Sequence, residues 1–173
     1  TCTAITVAED MRNYLNQINI SQRIIVVASP NVQDNFKLQI FNEDKLNLKN
    51  GLWYSNSCIG NKLINEINPM GTKDLTKEYI IQQINKIIRS SYLFLGYIEF
   101  SNYIDKLSNI NDETMSKKEK NKIMIKKLKK NFNNRLVIID EVHNIRVTDD
   151  NQNKRVAKSL IKLTDNVDGM RLL

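Results

Sequence analysis

At 173 residues, with 41% apolar and 26% charged side chains, the chain has the length and composition of one globular domain with a real core. A net charge of +7 favours a polyanionic partner, with nucleic acid first and an anionic membrane surface second. No apolar run reaches membrane-spanning length and no signal-peptide pattern opens the chain, so the expectation is an intracellular, cytoplasmic protein without a membrane partner.

Ile5, Ala8, Met11, Leu15 and Ile18 recur at helical spacing and predict a helix from Thr3 to about Ile18 with one buried face. Arg23-Ile-Ile-Val-Val-Ala28 is a continuous apolar run, an interior strand. Ser29-Pro30-Asn31 ends it, and Pro30 opens a helix carrying Val32, Phe36, Ile40 and Phe41. From Asn42 to Thr76 the pattern loosens around Gly51, Gly60, Pro69 and Gly71, and predicts a loop-rich insertion with a short helix over Lys62 to Ile67. Trp53 and Tyr54 are expected to pin that insertion to the core. Thr76 caps a helix bearing Ile80, Ile84, Ile87 and Ile88, followed by a strand over Tyr92 to Leu95.

Glu99 to Leu107 fits a further helix, and Ser116-Lys-Lys-Glu119 has the spacing of a capping box in front of a lysine-rich one. The exposed lysines of that helix read as a solvated face, with a phosphate-tracking patch as the alternative. Asn153 to Leu163 predicts another helix, and Met170 to Leu173 the start of a strand. Strand and helix alternate, so the fold class is α/β, a layered parallel sheet with right-handed crossovers. Cys2 and Cys58 have neither C-x-x-C partners nor zinc-spaced histidines, and reduced thiols are expected.

The most informative stretch is Arg135-Leu-Val-Ile-Ile-Asp-Glu-Val-His-Asn-Ile145. Its strand is too apolar to face water on either side, and it delivers Asp140 and Glu141 at its carboxyl end, where an open parallel sheet binds its ligand. Adjacent carboxylates there are costly unless a cation or a reacting water uses them. The plainer reading is the polar start of a loop or of the next helix, where acids suit the dipole. His143, the only histidine of the chain, falls two residues after Glu141 and completes a D-E-x-H pattern.

A helix that starts T-C-T-A-I, strands ending V-V-A-S-P-N and L-F-L-G-Y, and then L-V-I-I-D-E-V-H-N-I-R follow one another in an order that resembles the first RecA-like domain of superfamily 2 D-E-x-H helicases. The G-Y-I-E-F-S-N-Y-I stretch and the N-I-R after the histidine make the likeness closer to the ATPases of large cytoplasmic DNA viruses, akin to the poxvirus early transcription factor small subunit. The resemblance covers nearly the whole chain. It implies a P-loop NTPase domain over residues 1–173, incomplete at both ends. The glycines and lysine of the phosphate loop would precede Thr1, and an S-A-T segment would follow Leu173.

What it implies for function is ATP- and Mg2+-dependent helicase or translocase activity in viral transcription. The partners would be nucleic acid, DNA favoured over RNA, and the viral transcription machinery; the intact parent would be the enzyme and this segment alone inactive. Thr1 would bind nucleotide and join the Mg2+ shell, Asp140 would complete that shell, and Glu141 would orient and deprotonate the attacking water. His143 would couple the nucleotide and nucleic-acid sites. Ser29, Pro30 and Asn31 would grip the phosphate backbone, with Gly96 and Tyr97 in a second backbone-contacting motif. The alternative is a non-catalytic basic module for nucleic acid or a transcription partner, with the acidic pair as a helix start.

Overall fold

The computed structural model describes residues 2–145 and 151–173; at Asn144 and residues 151–153 only the backbone is described. The elements are α1 (Cys2–Gln17), β1 (Ile24–Val27), α2 (Pro30–Ile40), β2 (Leu46–Lys49), β3 (Leu52–Ser55), α3 (Gly60–Ile67) and α4 (Lys77–Ser91), then β4 (Tyr92–Leu95), α5 (Tyr97–Ser108), α6 (Lys117–Phe132), β5 (Leu136–Ile139), α7 (Asn151–Asn166) and β6 (Arg171–Leu172). β4, β1, β5 and β6 form a parallel sheet in that order, and β2 and β3 an antiparallel pair. The α/β class read from the alternation of elements is therefore the observed one. Among the described residues no helix is long and apolar enough to cross a membrane.

Contacts divide the chain into two compact units, one running from the N-terminus to Ile24 with Pro30–Leu93, the other Ile25–Ser29 with Phe94–Leu173. In the first, α1 packs on α2 and α3 on α4. Its core is aliphatic, with Ile5, Ala8, Ile40, Leu63, Ile80 and Ile84 fully buried. The Thr76 hydroxyl accepts the Tyr79 N–H at 3.2 Å, the cap read from the sequence.

Two expectations for this unit are corrected. Residues 42–76 hold more regular structure than expected: besides α3, which contains the expected short helix, β2 and β3 make a hairpin with Leu46 opposite Ser55 and Lys49 opposite Leu52. Its turn is Asn50-Gly51, both at positive φ (54° and 78°), the dipeptide that a two-residue hairpin turn selects. Trp53 does pin the hairpin, donating its indole N–H to the Leu75 carbonyl at 2.7 Å, whereas Tyr54 is exposed. Nor are the cysteines separate thiols: Cys2 and Cys58 form a disulfide, with Cα atoms 5.7 Å apart across 56 residues of sequence.

The second unit holds the sheet's acidic end. Ile25, Val26 and Val27 pair with Val137, Ile138 and Ile139, and every residue of β1 and β5 is buried. Strands covered on both faces must be continuously apolar, which is why these two stood out in the sequence. Helices α5, α6 and α7 pack on one another. Phe132 meets Phe100 and Tyr103 edge-on, at centroid distances of 6.4 and 5.8 Å. The capping box forms as expected: the Ser116 hydroxyl accepts the Glu119 N–H at 3.3 Å and the Glu119 carboxylate accepts the Ser116 N–H at 2.9 Å.

Candidate functional site

The order β4-β1-β5-β6 contains one reversal. From β1 the next strand in the sheet, β4, lies on one side; β5 then lies on the other, and β6 continues outward. Chains leaving β1 and β5 therefore part at their carboxyl ends, and such a switch point is where open α/β sheets hold ligands. Ser29 follows β1 there and Asp140 follows β5. The Asp140 N–H donates to the Val27 carbonyl at 3.0 Å, so the ladder runs to the last residue before the turn.

Past Asp140 the backbone turns sharply. Glu141 takes a left-handed conformation, φ 51°, which a side chain with a Cβ adopts at a cost of about 1–2 kcal/mol. Residues Val142–Ile145 then form a short 3-10 turn anchored by the buried Ile145. Asp140 is half-buried, while the Glu141 and His143 side chains remain 57% and 67% exposed. His143 Nδ1 lies 3.0 Å from a Glu141 carboxylate oxygen. Among the described residues neither carboxylate is in an ion pair with a lysine or arginine.

Gly96 caps α5, its N–H donating to the Glu99 carboxylate at 2.8 Å. Tyr97, expected beside a nucleic-acid backbone, sends its hydroxyl to the Asp140 carbonyl at 2.9 Å. That contact spans 43 residues of sequence, and no local pattern signals it. Asp140, Glu141, His143 and Tyr97 are thus gathered around one turn. Ser29 is half-buried; Pro30 and Asn31 open α2 and are exposed. Thr1 and Arg146 lie outside the described residues.

Among the described residues no three histidine, cysteine or carboxylate side chains cluster as a metal cage. A Mg2+ ion beside a nucleotide asks for less, one or two carboxylates with the remaining ligands from phosphate and water, and the half-open Asp140 fits that role.

A second polar cluster, not singled out in the sequence, joins α5 to α7. Arg155 donates to Asp105 at 2.9 and 3.1 Å and to the Asn102 side-chain oxygen at 2.9 Å. Ser159 donates to the other Asp105 oxygen at 3.1 Å and sits 2.9 Å from the buried Ser101 hydroxyl. No family model, no curated protein and no solved structure matches the chain.

Proposed function

We propose that the chain is the nucleotide-binding, RecA-like part of a superfamily 2 nucleic-acid helicase or translocase, hydrolysing ATP in viral transcription. One observation supports this above all: a fully buried parallel strand ends in Asp140-Glu141 at the reversal of strand order. The strained φ of Glu141 adds to it, since non-glycine residues in this conformation cluster where a side chain must be aimed for function.

In this reading Asp140, with the Thr1 hydroxyl, would hold Mg2+, which offsets the charge of the transferred phosphoryl group. Glu141 would align a water with the γ-phosphorus and take its proton as the new P–O bond forms. The bond to the bridging oxygen breaks, leaving ADP and inorganic phosphate. His143 would orient that carboxylate from 3.0 Å away. Tyr97 would act as a positioning residue, fixing the Asp140 backbone through its 2.9 Å hydrogen bond. Ser29, Pro30, Asn31 and Gly96 would meet the phosphate backbone without reading bases, with DNA favoured over RNA.

A non-catalytic basic module is the second reading, favoured by the Glu141–His143 contact, which occupies one carboxylate oxygen. Assay of the full-length protein separates the two. Mg2+-dependent ATP hydrolysis stimulated by single-stranded nucleic acid is expected; oligonucleotide binding with no hydrolysis would leave only the second.

A further inference from the structure

Helix α7 carries Lys154, Lys158 and Lys162 at four-residue intervals, one stripe along its surface, about 6 Å apart along the axis. With Arg155, Ser159 and Asp105 they line an open hollow of about 480 Å³. Lys154 and Lys158 are exposed and Lys162 half-buried. Among the described residues the one carboxylate in the lining, Asp105, is already engaged, with Arg155 on one oxygen and Ser159 on the other. With Arg155 and Asp105 paired to each other, the three lysines leave the described lining of the hollow net positive.

The lining names its ligand by what it contains and lacks. Its described residues offer lysine ammoniums and no aromatic or aliphatic wall, so none of them would stack a base or enclose an apolar group. An interfacial membrane helix keeps a broad apolar face for insertion, whereas in α7 Val156, Ala157 and Leu163 are buried in the core and, among the described residues, only Ile161 is a large exposed apolar side chain. Lysines repeated along a helix suit a repeating anion, and the fixed Arg155–Asp105–Ser159 floor holds the helix that presents them.

We propose that the Lys154–Lys158–Lys162 face of α7 is a sequence-independent contact for the phosphodiester backbone of nucleic acid, distinct from Ser29–Asn31 and Gly96. It does not depend on the nucleotide reading, and its test uses no ATP.

The test is the salt dependence of binding to a fluorescein-labelled 20-residue oligothymidylate, read by anisotropy. The wild type is compared with the triple variants Lys154→Ala/Lys158→Ala/Lys162→Ala and Lys154→Arg/Lys158→Arg/Lys162→Arg. Removing three phosphate contacts lowers the slope of log K against log salt by about two and weakens binding at low salt by roughly tenfold or more. The arginine variant keeps both, and unchanged circular dichroism melting of the alanine variant shows that the fold survives. Wild-type affinity in the alanine variant overturns the proposal, as does equal loss in the arginine variant. Lysine-dependent binding to phosphatidylserine vesicles without oligonucleotide binding overturns it in favour of a membrane.

Discussion

The buried network of the first unit and the acidic turn of the second use charge in opposite ways. In the first, Glu9 and Arg12 are 1% and 7% exposed, and the Arg12 guanidinium reaches Glu9 at 3.0 and 3.1 Å and Glu66 at 3.2 Å. Burial works against that cation, but the hydrogen bonds and charges of Glu9 and Glu66 outweigh it and raise the Arg12 pKa. The Tyr92 hydroxyl, 3.4 Å from Glu9, is pushed up by burial and then by the Glu9 charge. In the second unit Glu141 and His143 are mostly in water and lie 3.0 Å from each other. A charge taken from water and fully paired fixes a fold; a charge left half in water, on a strained turn at a strand end, remains free for a ligand.

The largest effect expected from that contrast comes from breaking the buried network. Arg12→Ala leaves Glu9 buried without its cation and should lower stability in urea by about 3–5 kcal/mol. Replacing Glu9 and Arg12 together by leucine should cost less, and an equal or greater loss would show that the network contributes more than mutual neutralisation. Next comes the Cys2–Cys58 disulfide, which restricts the unfolded chain across 56 residues. Cys58→Ser, or reduction, should cost about 2–4 kcal/mol by the same measurement.

The smallest effect lies in the second unit, at the head of α6. Ser116→Ala should cost about 1 kcal/mol, read from thermal melting. The Glu119 carboxyl there is held below its usual range by hydrogen bonds from the Ser116 hydroxyl and N–H. A carboxylate lowered on folding stabilises above its unfolded pKa and loses that contribution as pH falls through the folded one. Acidification through and below the usual carboxylate range should therefore remove more α6 helicity from the wild type than from Ser116→Ala, which already lacks the hydroxyl's contribution; parallel acid titrations by circular dichroism compare them.

What was legible in the sequence was local. β1 and β5 announce themselves as apolar runs because a strand buried on both faces tolerates nothing else, and the less buried β4 shows the same run of apolar residues. The caps at Thr76 and Ser116 involve residues three apart, within reach of a pattern. The D-E-x-H turn is likewise contiguous, so Asp140, Glu141 and His143 were found together. The hairpin at Asn50-Gly51 carried a readable signal, obscured by strands of only four residues in a polar stretch. Other contacts leave no periodic trace: Arg12 to Glu66 spans 54 residues, Arg155 to Asp105 spans 50, and the disulfide spans 56. Tertiary folding alone brings these together, and with them the floor under the α7 lysines.

The acidic turn after β5 is best tested by Glu141→Gln in the full-length protein, measuring ATP hydrolysis and the binding of a fluorescent ATP analogue side by side. The substitution keeps the shape and removes the carboxylate proposed to accept the proton. Hydrolysis should fall by roughly a hundredfold or more while nucleotide affinity stays within a few-fold of wild type. Undiminished hydrolysis in Glu141→Gln would contradict the account, because the turn would then be acting only as the end of a strand.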